Sequence, residues 1–109
     1  VENWLDVEPG FFLELMKSGE LTKEQIIDVR EPEEWEYYHL EQSTLLPLET
    51  IPNRLNEFNS NGKPIYIICA HGVRSVAACR YLNERGYGSL RNVVGGMAAV
   101  ASLEGFQYD

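Results

Sequence analysis

The chain has 109 residues, 44% of them hydrophobic and 24% charged, which is enough for one core and leaves no room for a second, so residues 1–109 are read as a single domain. The net charge of −8 argues against a nucleic-acid partner, and no apolar run approaches the roughly 18–20 residues that cross a bilayer. Two cysteines ten positions apart, the second inside a predicted helix, make neither a disulfide framework nor a four-ligand zinc site, so no metal is expected.

In chain order, residues 1–7 read as an irregular start ending in a short strand, with Trp4 or Leu5 packing inward. Pro9 suits the first turn of a helix in which Phe11, Phe12, Leu15 and Met16 form an apolar stripe and which Gly19 ends. After a polar loop at 22–25, Ile26 to Arg30 read as a buried strand. Asp28 and Arg30 belong near its end, where backbone groups or opposite charges satisfy them, because unpaired buried charge is costly. Glu31-Pro32-Glu33-Glu34-Trp35-Glu36 opens a second helix, its acids complementing the dipole, with Trp35 and Tyr38 on one face against the sheet. Thr44 to Leu48 read as an edge strand. Thr50 is placed as the cap of a helix running through Phe58, with Ile51, Leu55 and Phe58 inward. Asn61-Gly62 is a turn.

Ile65-Tyr66-Ile67-Ile68 is a short β-branched run that reads as a central strand of a parallel sheet, and Cys69 stands at its carboxyl end. Residues 76–85 are good helix formers, closed by Gly86. The loop Ala70-His71-Gly72-Val73-Arg74-Ser75 therefore leads from a strand end into a helix N-terminus, where ligands of open α/β sheets bind. Backbone N–H groups and the helix dipole favour an anion there, and a thiol so placed ionises more readily than a free one, so Cys69 is the candidate nucleophile. Gly72 supplies the tight turn, His71 and Arg74 bring positive charge to the rim, and Ser75 suits the helix N-cap. Cys79, on the apolar helix face with Val76 and Leu82, reads as core. Leu90 to Val94 read as the last strand, and Gly95-Gly96 leads into a helix from Met97 to Leu103.

Charge is unevenly divided. Residues 1–57 balance at −10, whereas residues 58–109, which hold the Cys69 loop, balance at +2. A locally positive site on an acidic body suits a small anion or a thiol donor.

Cys69-Ala70-His71-Gly72-Val73-Arg74-Ser75 resembles the Cys-x-x-Gly-x-Arg-Ser loop of single-domain rhodanese-like sulfurtransferases. Ile27-Asp28-Val29-Arg30-Glu31-Pro32-Glu33-Glu34-Trp35 resembles the first signature of that family, and Val93-Val94-Gly95-Gly96-Met97 its last, in the same order and at similar spacing. The resemblance implies an α/β, three-layer fold, a five-stranded mostly parallel sheet with helices on both faces. It implies a persulfide on Cys69, loaded from a small anionic sulfur donor such as thiosulfate and passed to cyanide, a thiol or a protein acceptor, with no cofactor. Asp28 and Arg30 resemble family residues that support the loop. The chain departs from the family at Tyr38-His39-Leu40-Glu41-Gln42-Ser43, where a Gly-His-Ile-Pro-Gly-Ala pattern is usual, and at the final helix, where Val100 or a neighbour replaces a tryptophan. A partner-loaded persulfide carrier is the alternative. A rhodanese-fold phosphatase is a more distant one, because its loop resembles Cys-x₅-Arg and this one is Cys-x₄-Arg. A cytoplasmic monomer or weak dimer, with no membrane association, is expected.

Overall fold

The computed structural model describes residues 3–59 and 61–108. Five strands, β1 (Leu5–Val7), β2 (Ile26–Asp28), β3 (Thr44–Leu45), β4 (Ile65–Ile68) and β5 (Leu90–Val93), form one sheet in the order β1-β5-β4-β2-β3. All four pairings are parallel, with Asp28 opposite Ile68 and Ile67 opposite Asn92. The helices are α1 (Pro9–Lys17), α2 (Pro32–Tyr37), α3 (Val73–Glu84) and α4 (Gly96–Leu103).

Alternation along the central strands builds two cores. Ile65, Ile67 and Cys69 face a layer that holds Ala78, Cys79 and Leu82 of α3 with Ile51 and Phe58. Tyr66 and Ile68 face the opposite layer, where α1 and α4 supply Phe12, Leu13, Met16, Met97 and Val100. A strand covered on both faces has no polar side to present, which is why β4 is an unbroken apolar run. The three-layer α/β expectation is met.

Local expectations were met less evenly. The buried stripe of α1 is Phe12, Leu13 and Met16, and Phe11 is exposed. Trp4 packs on the core while Leu5 is 57% exposed. The polar stretch before β2 contains a 3-10 turn, Lys23–Gln25, closed by a Thr22–Gln25 capping box. No helix runs from Thr50 to Phe58; two 3-10 segments, Leu48–Asn53 and Leu55–Phe58, take its place. The chain leaves helical geometry at Arg54, φ −134° and ψ 30°, and this residue separates the two segments. Trp35 does not join either core. It stacks on His39 with ring centroids 3.9 Å apart, and His39 Nδ1 lies 2.7 Å from the Trp35 carbonyl oxygen. Segment 38–43, which has neither glycine nor proline, closes through buried Leu40 and a Ser43 hydroxyl donating to the Leu40 carbonyl at 2.6 Å. No helix among the described residues is long and apolar enough to cross a membrane.

Candidate active site

Cys69 follows the last residue of β4, between β2 and β5, and is 1% exposed. Gly72, at φ +99°, is the N-cap of α3, and its N–H donates to Cys69 Sγ at 3.0 Å. This left-handed turn is why α3 starts one turn earlier than Ser75 would have it. Ser75 is therefore not a cap: it lies fully buried in the first turn, accepting from Cys69 Sγ at 3.3 Å and donating to Asn92 Oδ1 at 2.5 Å.

The other wall of the loop is the start of α4. Met97 N–H donates to the Cys69 carbonyl at 2.7 Å and Ala98 N–H to the Ala70 carbonyl at 3.0 Å. The orphan donors of one helix thus hold the backbone of the cysteine loop. This approach requires Gly96, at φ +62°, because a Cβ there would collide with the Cys69 carbonyl oxygen and lie 2.7 Å from the Ala70 carbonyl. The Gly95-Gly96 pair is thus more than a strand-to-helix turn; it lets α4 grip the loop.

Arg74 reaches to α2, where its two terminal nitrogens donate to both oxygens of Glu34 at 2.7 and 2.8 Å. This bidentate geometry braces the loop, so the Arg74 charge at the rim is paired with Glu34. Glu34 also accepts from the Glu31 N–H at 2.8 Å. The Arg74 hydrogen bond leads, against a burial effect that raises it, in holding the Glu34 carboxyl down at about 2, and the same pairing raises Arg74. Because the folded value lies below the ordinary one near 4.5, the pair stabilises the protein above about pH 5 and fades as pH falls toward 2. The two side chains are 33% and 29% exposed, so solvent screening reduces the effect. Glu34→Gln is expected to cost about 1 kcal/mol at pH 7 and little near pH 2, measured by urea unfolding at both pH values.

Asp28 and Arg30 lie below this brace, both fully buried, with Nη2 to Oδ2 at 2.7 Å and Nε to Oδ1 at 2.9 Å. Arg30 also donates to the carbonyls of Glu34 (3.2 Å) and Tyr38 (2.7 Å) and to the Tyr108 hydroxyl (2.8 Å). Burial works to lower its pKa, and the bonds to Asp28 and Tyr108 overcome that and raise it. The pair is structural, and Arg30 ties α2 and the C-terminal segment to the end of β2.

Beside the loop, Glu33, Glu34, Tyr37, Ala70, His71 and Tyr108 line an open depression of 330 Å³. His71 and Val73 stand exposed at the loop tip, Val73 by 77%, and the His71 and Tyr108 rings meet edge to face. A larger cavity of 480 Å³, lined by Phe58, Lys63 and Tyr87 among others, lies around Ile65 and Ser89 at the opposite ends of β4 and β5. Cys79 is free and fully buried. Burial, followed by Asp6 and Cys69, pushes its thiol up to about 12, so it remains a protonated core residue. No metal-binding cluster is found among the described residues.

Asn92, Glu34 and Tyr108 were not singled out from the sequence. Asn92 carried a readable signal as a polar residue in a buried strand. Glu34 carried a partial one, three positions after Glu31 at capping-box spacing. Nothing in the sequence marks Tyr108.

The model of a family described as the rhodanese-like domain matches residues 8–103. A sulfurtransferase of Allochromatium vinosum is 36% identical over 76 residues, 70% of each protein. A Bacillus subtilis protein named for sulfur carriage, YrkF, is 44% identical over 72 residues, 66% of this chain; the match spans only 38% of that relative's length. Another Bacillus subtilis relative is matched over 58% of its length. Among solved structures, the rhodanese-like domain protein of Staphylococcus aureus superposes with a TM-score of 0.78 at 35% identity, covering 88% of this chain and 90% of its own.

Proposed function

The chain belongs to the rhodanese-like domain family, and from that premise we propose that it is a sulfurtransferase of the thiosulfate sulfurtransferase type in which Cys69 carries the sulfur. The observation that supports this most is a sulfur at a strand end with the Gly72 N–H on it, in a loop clamped on one side by α4 and on the other by Arg74 and Glu34. The attacking form is the thiolate. Cys69 Sγ attacks the outer sulfur of thiosulfate; the donor's S–S bond breaks, its electron pair leaves with sulfite, and a new S–S bond makes the cysteine persulfide. With a persulfide donor the leaving group is a thiolate. Cyanide or an acceptor thiol then attacks the terminal sulfur, and the bonding pair returns to Cys69. No cofactor takes part. Ala70, His71, Gly72, Val73, Arg74 and Ser75 form the loop around the donor. Arg74 acts by bracing it, because its charge is spent on Glu34.

Covalent double displacement predicts ping-pong kinetics. With thiosulfate and cyanide varied together, double-reciprocal plots are expected to be parallel; intersecting lines would contradict a persulfide intermediate. A partner-loaded carrier is the second reading, favoured by the name of the YrkF relative and by the −10 balance of residues 1–57, which suits a basic partner face. Loading by a partner's persulfide with negligible thiosulfate turnover would favour it. Hydrolysis of an aryl phosphate would instead favour the phosphatase.

A further inference from the structure

A buried chain of hydrogen bonds runs from the nucleophile to the edge of the sheet. Cys69 Sγ donates to Ser75 Oγ at 3.3 Å, Ser75 Oγ to Asn92 Oδ1 at 2.5 Å, and Asn92 Nδ2 to Asp6 Oδ1 at 3.0 Å. Ser75 and Asn92 are buried, whereas Asp6, on β1, is exposed. The direction of the chain is dictated by its end, because an ionised carboxylate only accepts. Asp6 therefore turns the Asn92 amide nitrogen toward itself and the amide oxygen toward Ser75. That oxygen in turn accepts the hydrogen bond of the Ser75 hydroxyl, leaving Ser75 with only a lone pair to offer Cys69.

We propose that Asn92, oriented by Asp6, is a positioning residue that commits Ser75 to accept from the Cys69 thiol and withholds its hydroxyl proton from the sulfur. The arrangement suits a resting thiol and opposes the attacking thiolate, which then has the Gly72 N–H as its donor within the loop. It restrains Cys69 in the resting protein. Freed from Asn92, the Ser75 hydroxyl can rotate and donate to the ionised sulfur, a charge-assisted bond stronger than the neutral one it replaces.

This inference rests on Cys69 being the sulfur-carrying nucleophile, but iodoacetamide alkylation reads the hydrogen-bond chain whether or not sulfur is transferred. The rate of Cys69 alkylation at pH 7, followed by peptide mass, is compared for the parent, Asn92→Leu, Asp6→Asn, Ser75→Ala and the Ser75→Ala/Asn92→Leu double variant. Asn92→Leu keeps similar volume and is expected to react roughly tenfold faster, the factor that a modest charge-assisted hydrogen bond supplies. Asp6→Asn, whose amide allows Asn92 either orientation, is expected to react faster than the parent and slower than Asn92→Leu. The double variant is expected to match Ser75→Ala alone. A folded Asn92→Leu reacting at the parent rate overturns the proposal, as does an acceleration that persists without Ser75, which would mark loosened packing. Should Asn92→Leu not fold, exposed Asp6→Asn decides, alone and combined with Ser75→Ala: an acceleration lost in the combination supports the proposal, and the parent rate or an acceleration that persists in the combination overturns it.

Discussion

Gly96→Ala is expected to lower sulfur loading of Cys69 at least about a hundredfold while costing about 2–4 kcal/mol of stability. Two effects combine. A residue with a Cβ is strained at φ +62°, by roughly 1–2 kcal/mol. The added methyl would also meet the Cys69 and Ala70 carbonyls, which are backbone and cannot swing aside. Relief requires α4 to retreat, breaking the Met97 and Ala98 hydrogen bonds that hold the cysteine loop. Gly86→Ala is the control. Gly86 also has a positive φ, +88°, but nothing lies within 4 Å of its added Cβ. It is expected to lose about 1–2 kcal/mol with loading unchanged. Loading rates by mass and unfolding by urea separate the two variants. Similar activity in both would mean that α4 does not control the loop.

Asp28→Ala is expected to cost about 3–5 kcal/mol, a large part of a small domain's net stability of roughly 5–15 kcal/mol. The loss comes less from the ion pair itself than from what remains, a fully buried Arg30 guanidinium without its paired carboxylate. Arg30 also holds the Tyr38 and Glu34 carbonyls and Tyr108, so its displacement loosens α2 and the floor of the 330 Å³ depression. Equilibrium urea unfolding measures it. The paired replacement of Asp28 and Arg30 by apolar residues of similar volume is expected to recover much of the loss. A cost below 1 kcal/mol for Asp28→Ala alone would mean that the pair is not what supports this region.

Much of this was legible in the chain because the physics is local. A four-residue β-branched run between turn residues is too short for a buried helix and reads as a strand covered on both faces, and a glycine three positions after Cys69 marks the turn into a helix. Asp28 and Arg30, two residues apart at a strand end, find each other within the same segment. What was not legible depends on distant partners or on a competing local rule. Arg74 pairs across forty positions with a glutamate on α2, a partner that the loop's own sequence does not name. Ser75 reads as an N-cap by residue type, but the left-handed Gly72 starts the helix first and sends Ser75 into the core. Phe58 has helical spacing from Ile51 and Leu55, yet the non-helical backbone of Arg54 divides the segment into two 3-10 turns. Tyr108 reaches Arg30 from the far end of the chain, which no local pattern records.

The central claim, that Cys69 carries sulfur, is tested most directly by intact mass after incubation with thiosulfate and, separately, with a small-molecule persulfide. The parent protein, Cys69→Ala and Cys79→Ala are compared. The account predicts a gain of one sulfur atom in the parent and in Cys79→Ala, removed by cyanide, and no gain in Cys69→Ala. A parent protein that stays unmodified with both donors, or sulfur that still loads when Cys69 is alanine, would contradict it.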